Sequence, residues 1–370
     1  MSPRGSAVQQ ARRIVVKIGS SSLTREDGGL DLNRIDSVAR LISAKARRGC
    51  EILIVSSGAV AAGLEPLGLS SRPKDLASVQ AAAAMGQGYL MARWSSAFQA
   101  HHLHVAQVLL TAADVMQREH YTNAMSALDK LLAYGVVPII NENDAVTTRE
   151  VRFGDNDRLA SYVAQMVGAD ILILLTDVDG LYTAPPPSQP DARLISEVNA
   201  TDELSNVDVR GAGSSVGTGG MATKLHAASM EQHAGIGVVL TSADRLSEAL
   251  NGEAVGTWFE PTRHRPASRT LWIAHVATSN GQLLIDTGAR RAITHGKKSL
   301  LPAGIKEVLG VFSAGDVVDI ADDNGLIARG ISRYDSDTLA RIIDSYEDSE
   351  TNKHMRPAVH RDDLALLVRE

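Results

Sequence analysis

Ile14-Val15-Val16-Lys17-Ile18-Gly19-Ser20-Ser21-Ser22 is the stretch on which the fold turns. Up to Gly19 every residue but the lysine is apolar, on both of the alternating faces that a strand would present. Such a run suits a strand covered on both sides, as in a parallel sheet held between helices. Working outward, residues 52–55, 105–110, 136–140, 171–175 and 236–240 repeat the pattern, and amphipathic stretches at 31–48, 75–100 and 156–167 lie between them. Strand and helix alternating over about 240 residues predict an α/β fold, an open and mostly parallel sheet sandwiched by helices. The alternation stops near Pro261. From Gly281 onward short strands at 283–285, 315–320 and 326–329 are punctuated by closely spaced glycines, which predicts a small β-rich domain. The expected division is a first domain over 1–262 and a second over 279–358, with 263–280 as the junction and 344–356 as polar loop.

Composition narrows the function classes. Of 370 residues, 44% are hydrophobic and 22% charged, ordinary values for a globular chain. Three Trp, seven Tyr and four Phe are few, so the core must rest on Val, Ile, Leu and Ala. The net charge of −6 and the absence of a basic block argue against a constitutive nucleic-acid binder. The lone Cys50 excludes an internal disulfide and reads as a small buried hydrophobe. No targeting segment is visible, and no apolar run approaches the roughly 18 residues of a membrane span. A cytoplasmic protein away from membranes is expected.

The polar residues that matter stand at the ends of the proposed strands, where open parallel sheets bind ligands. Lys17 to Ser22 follows the first strand, and Ser56-Ser57-Gly58-Ala59-Val60-Ala61-Ala62-Gly63 follows the second. Small residues at such turns let backbone N–H groups approach an anion at a helix N-terminus. A glycine can equally serve only the turn, but two such loops on adjacent strands, one with a lysine, favour a phosphate site. The fourth strand runs into Asn141-Glu142-Asn143-Asp144-Ala145, and Phe153-Gly154-Asp155-Asn156-Asp157-Arg158-Leu159 opens a helix, with Asp155 suited to its N-cap. Further on, Thr176-Asp177-Val178-Asp179-Gly180 closes a strand, and a glycine-rich loop delivers Met221-Ala222-Thr223-Lys224 into a helix. Gly217, Gly219 and Ala222 fit a dinucleotide fingerprint, but no buried strand precedes them, and around Lys297 the spacing of a P-loop fails at Arg291. A phosphate site must be built another way. The cluster His101-His102-Leu103-His104 reads as a solvated loop, because adjacent positions cannot all face one ion.

VVKIGSS at 15–21, SSGAVAAG at 56–63, PIINENDAV at 138–146, FGDNDRLA at 153–160, LLTDVDGLYTA at 174–184 and GTGGMATK at 217–224 together resemble the amino-acid kinase family, and within it the glutamate 5-kinases. SLLPAGI at 299–305 and ISRYDSDTL at 331–339 resemble a PUA domain, which makes the second domain a PUA domain over 279–358. The resemblance implies ATP as co-substrate with Mg²⁺, L-glutamate as acceptor, L-proline as feedback inhibitor and a homo-oligomer. It implies Lys17, Lys224 and Asp157 as catalytic residues, the two lysines flanking the transferred phosphoryl group from opposite ends of the sheet with Asp157 holding both. Lys17, Thr176, Asp177, Thr218, Gly219, Gly220, Met221, Ala222, Thr223 and Lys224 match nucleotide-binding positions. Ser57, Asp144 and Asn156 match the glutamate-binding positions, Asp144 as partner of the α-ammonium. No protein ligand to the metal is assigned, since Mg²⁺ keeps several waters and uses few side chains. Two departures stand out: Thr183-Ala184-Pro185-Pro186-Pro187 lacks the usual acidic residue before a single proline, and Ser56 replaces a common threonine.

Acetylglutamate and carbamate kinases would share the two-loop site, but the NENDAV segment and the PUA appendage favour glutamate. RNA binding is the alternative from another class, since PUA domains occur in RNA-modifying proteins. Residues 279–370 carry 12 Lys and Arg against 15 Asp and Glu, a net of −3, which suits phosphate contacts poorly.

Overall fold

The apolar run at residues 14–18 becomes the middle of a sheet in the computed structural model, which describes residues 2–25, 29–147, 156–185, 189, 191–199, 220–263, 265, 267–344 and 356–367. The chain divides into two units: Met1–Val115 with Glu119–Arg265, and Pro266–Glu370 with Met116–Arg118.

In the first unit the elements follow as α1 (Pro3–Gln10), β1 (Arg13–Ile18), α2 (Leu32–Ala46), β2 (Glu51–Ser56), α3 (Ala59–Leu64), α4 (Leu76–Gln99), β3 (Val105–Leu110), α5 (Ala112–Met116) and α6 (Arg118–Ala133). Then come β4 (Val137–Glu142), α7 (Asn156–Met166), β5 (Ile171–Thr176), β6 (Glu197–Val198), α8 (Met221–His233), β7 (Gly237–Ser242), α9 (Leu246–Leu250) and β8 (Thr257–Phe259). The strands form one sheet in the order β3-β4-β2-β1-β5-β7-β8-β6. Pairing is parallel from β3 to β7, and β8 runs antiparallel to β7. Ile14, Val15, Val16 and Ile18 are all fully buried, as strands with helices on both faces require.

Helix entries follow their capping residues. The Asp31 carboxylate accepts from the Arg34 N–H at 3.0 Å, and Asp75 accepts from the Ser78 N–H at 2.8 Å. The buried Lys45 of α2 donates to the carbonyls of Val8 and Leu250, each at 3.1 Å, and so holds the last turns of α1 and α9. Nearby Cys50 is buried, and burial pushes its thiol up to about 11 against the opposing pull of Lys45. The histidine cluster forms the turn before β3, with His102 and His104 exposed.

α3 and α4 cross at a glycine pair. A Cβ on Gly63 would stand 1.9 Å from the Ala82 carbonyl oxygen, and one on Gly86 would stand 1.8 Å from that of Ala59. Gly63 therefore serves helix packing, a role different from the anion approach expected of it. Gly58, at the N-cap of α3, has φ +102 and needs a glycine for its turn.

The second unit contains α10 (Ser268–Leu271), a π-helical turn over Trp272–Val276, β9 (Ser279–Ile285), α11 (Thr287–Thr294), β10 (Ile305–Gly310), β11 (Val317–Asp322), β12 (Gly325–Ser332), α12 (Ser336–Asp344) and β13 (Val359–Leu366). Its sheet runs β10-β9-β11-β12-β13 around a core that includes Leu283, Ile285, Val318, Ile320, Leu339 and Val359. The three strands read from the sequence are thus part of five. The stretch 263–280, expected as the junction, contains the division between the two units and also holds α10 and the π turn. Its Leu271, Trp272, Ile273 and Val276 are apolar and buried, so they belong to packing rather than to a linker. Most of 344–356 lies outside the described residues.

Candidate active site

β1 carries two charges, Arg13 at its start and Lys17, which lies where the strand approaches its carboxyl end. The Lys17 Nζ stands 2.6 Å from Oδ1 of Asp157, in the first turn of α7. Lys224, in the first turn of α8, places its Nζ 3.1 Å from Oδ2 of the same carboxyl. Asp157 is 0% exposed, Lys17 4% and Lys224 7%. Burial pushes the Asp157 carboxyl up, but the two ammonium groups win and hold it below its ordinary value. One carboxylate shared by two ammonium groups leaves the triad one positive charge in excess. β1 and β7 are both neighbours of β5, and α8 leads directly into β7. The two lysines therefore do not act from opposite ends of the sheet, as the sequence suggested; they converge from its middle on one side chain.

The other residues expected to bind a nucleotide are described in part. The buried Thr176 hydroxyl donates to Oδ1 of the exposed Asp177 at 2.9 Å, at the end of β5. Asp179 accepts from the Ser242 hydroxyl at 2.8 Å, tying the turn after β5 to the end of β7. Gly220 is the N-cap of α8, and its carbonyl accepts from the Thr223 hydroxyl at 2.8 Å. Thr223 also lies 3.4 Å from Oδ2 of Asp157. Met221 is buried and Ala222 exposed. Thr218 and Gly219 lie outside the described residues, as do Phe153-Gly154-Asp155, Pro186, Pro187 and Pro190.

Asn156 joins two strand ends. Its amide Nδ2 reaches the Ser57 hydroxyl at 2.8 Å, the Ser56 carbonyl at 3.2 Å and Oδ1 of Asn141 at 2.9 Å. Asn141 in turn donates to Oε1 of Gln87 at 2.9 Å, and the Trp94 indole donates to the Ser56 hydroxyl at 3.3 Å. Ser57 and Asn156 are thus in direct contact. Asp144 lies in the turn after β4 and lines a cavity of about 260 Å³ together with Gln87, Ala59, Glu142 and Asn143. Gln87 is the link, since it borders the cavity and bonds the residue that bonds Asn156. Asn141, Gln87 and Trp94 were not singled out from the sequence. Asn141 stands within the quoted polar stretch, whereas Gln87 and Trp94 sit in a helix whose sequence carries no motif.

Among the described residues no group of three or more His, Cys, Asp or Glu side chains could hold a metal ion. Magnesium arriving with a nucleotide would fit this donor set as a phosphate-borne ion, with the exposed Asp177 just after β5. Among the described residues no helix is long and apolar enough to cross a membrane.

Comparison with known proteins agrees with this architecture. The amino acid kinase family matches residues 12–242, and the PUA domain matches residues 281–352. Glutamate 5-kinase of Salinispora arenicola is 52% identical over 97% of this chain and 99% of its own, and that of Thermobifida fusca is 50% identical over 97% and 94%. Glutamate 5-kinase of Mycolicibacterium smegmatis is 49% identical over 98% of this chain and 99% of its own. Among solved structures, carbamate kinase from Giardia lamblia bound to AMP-PNP superposes with a TM-score of 0.52 at 18% identity, covering 68% of this chain and 99% of that one. At that identity the superposition speaks for the fold alone. With an α/β sheet that gathers two lysines on one buried aspartate, and with relatives near half identity over nearly the whole length, the chain belongs to the amino acid kinase family, as a glutamate 5-kinase with a C-terminal PUA domain.

Proposed function

We propose that this chain transfers the γ-phosphoryl group of Mg-ATP to the side-chain carboxylate of L-glutamate, giving L-glutamyl 5-phosphate and ADP as the first step of proline biosynthesis. The observation that carries the reading is the buried Asp157 carboxylate shared by Lys17 and Lys224. A glutamate side chain has a pKa of about 4.3, so at neutral pH it attacks as an anion and needs no general base. One carboxylate oxygen forms the new P–O bond while the bond from the γ-phosphorus to the β,γ-bridging oxygen breaks, and ADP leaves. The barrier lies in charge and alignment. Lys17 and Lys224 neutralise the transferring group, and Asp157 holds both ammonium groups in place so that they need not reorganise during the step. The N-terminus of α8 adds its partial positive charge to the same place. Ser57 and Asn156 are the proposed contacts to glutamate, and Asp144 in the adjoining cavity is the partner of its α-ammonium.

The same reading carries further parts. Proline shares glutamate's α-carboxylate and amine, so it is proposed to compete at the Asp144 and Asn156 positions. The chain is proposed to pair with a second copy of itself. The 24 residues of α4 contain a single charge, Arg93, and Ala81, Ala84, Met85, Gly88, Tyr89 and Ala92 are all exposed on that helix. An uncharged helix face of small residues and two large apolar ones suits an identical helix better than water. Nucleic acid is not expected as a partner, given the net −3 of residues 279–370, and a cytoplasmic location is part of the proposal.

The test is ADP release from Mg-ATP with L-glutamate, beside N-acetylglutamate, aspartate and UMP, each with and without proline. Turnover on glutamate alone, damped by proline, is expected. Turnover on another acceptor would discard the roles of Ser57, Asp144 and Asn156 while leaving the lysine mechanism standing.

A further inference from the structure

α7 and α8 pack against each other in parallel and meet through polar groups at two levels. The upper level is Asp157 with Lys224. Lower down, Glu231 follows Lys224 by seven residues on α8, and Gln165 follows Asp157 by eight on α7, which puts both about two turns along their helices. There the Gln165 amide donates to Oε1 of Glu231 at 2.8 Å. Glu231 is 0% exposed and Gln165 1%. Ser161 of α7 faces the same carboxyl, and the charged and titratable groups nearest to it are Tyr121 of α6 and Arg265 after β8. Arg265 is itself paired with Asp170 at 3.1 Å. With no ion pair to it among the described residues, burial pushes the Glu231 carboxyl up to about 8, against the opposing pull of Arg265.

Nothing in phosphoryl transfer uses Glu231, and a buried carboxyl is an expensive way to fill space. Between the two polar levels α8 buries Ala227 and Ala228. Such small apolar residues pack at several registers with little to choose between them, because apolar contact is not directional. A hydrogen bond between two buried side chains is directional and admits one register. Positional errors of about 1 Å at a reacting group can cost around a hundredfold in rate, and Lys224 depends on the helix for its position.

We infer that Glu231 is a positioning residue for phosphoryl transfer: through Gln165 it fixes α8 along α7, and so fixes where the Lys224 ammonium stands on Asp157. The inference rests on the catalytic reading of Lys224 given above, so Lys224→Met is assayed alongside. Glu231→Leu, Glu231→Gln and Gln165→Leu are compared with the unaltered full-length chain for ADP release at saturating Mg-ATP over a glutamate titration, with thermal melting of each. The expected result for Glu231→Leu is a fall in kcat of about tenfold or more with glutamate KM within about twofold, since Ser57, Asn156 and Asp144 stand away from this contact. Glu231→Gln keeps the acceptor for Gln165 and is expected to restore most of the rate. Gln165→Leu should behave like Glu231→Leu, and it supplies the measurement if the latter does not fold. A folded Glu231→Leu with unaltered kcat would overturn the inference, as would a Glu231→Gln as slow as Glu231→Leu, or a glutamate KM that rises as much as kcat falls. If Lys224→Met retained full kcat, the catalytic reading of Lys224 would fail, and the role of Glu231 with it.

Discussion

Lys17 and Lys224 bind one carboxyl from two elements, whereas Ser57 and Asn156 bond to each other and Asp144 lines the adjoining cavity, so the two groups should separate kinetically. Lys224→Met is expected to lower kcat by roughly 10²- to 10³-fold, the usual cost of removing a preorganised electrostatic contact, with little change in glutamate KM. Asp144→Ala should raise glutamate KM and leave kcat nearly intact, and an unaltered KM would remove Asp144 from the substrate. Steady-state kinetics on both variants makes the comparison. Glu231 makes a different prediction, for stability. Its carboxyl titrates near 8 in the fold against an ordinary 4.5, so between those values the folded chain holds a proton that the unfolded chain has lost. This contribution is complete below about 4.5 and is lost as the pH rises towards 8. Melting temperatures of Glu231→Gln and the unaltered chain should therefore diverge in the variant's favour from about pH 5 to 8, and parallel curves would mean that Glu231 is ionised throughout. Lys17, Asp157 and Lys224 were legible in the sequence because each is a charge beside a strand end or in a helix's first turn, within small or polar neighbours. That they share Asp157 was expected with the resemblance, but no local pattern signals it, since Lys224 and Asp157 are 67 residues apart. Gln87 gave no local signal at all.

Six of the eight described strands of the first unit were legible for a simple reason: their central residues are mostly apolar on both faces, as a parallel sheet between helices asks, whereas the short β6 and β8 gave no such run. Of the five in the second unit, only β9, β11 and β12 were read. β13 reads Val-His-Arg-Asp-Asp-Leu-Ala-Leu, with three charges in the middle of a strand at the sheet's edge, and α11 contains a glycine and two threonines held by the Asp286 cap. Glycines were legible as glycines but not as to purpose. Gly63 and Gly86 are required by the contact of α3 with α4, whereas a Cβ on Gly88 would meet nothing within 4 Å. Gly86→Ala should therefore destabilise the chain by about 3 kcal/mol or more, at the upper end of overpacking costs, and it should disturb Ser57 through α3. Gly88→Ala, two residues away, should be neutral or stabilising by up to about 1 kcal/mol. Urea unfolding of the pair makes the test, and equal effects would contradict the close crossing.

Across the whole molecule, every described residue of the proposed site belongs to the first unit, and the second unit contributes none. Assembly is the property at this scale that the sequence could suggest only through resemblance. If α4 supplies the contact between copies, replacing both Met85 and Tyr89 by glutamate should lower the mass found in sedimentation while leaving the monomer folded; an unchanged mass would move the contact elsewhere. The shared carboxylate also has a practical side. Its surplus positive charge does not distinguish a nucleotide's phosphate from a buffer's, so inorganic phosphate or sulfate should seat between Lys17 and Lys224 in competition with ATP. A buffer of that kind should raise the melting temperature by mass action and raise the apparent KM for ATP at the same time. The conditions that keep this enzyme best in a tube would then be the ones that make it look slowest.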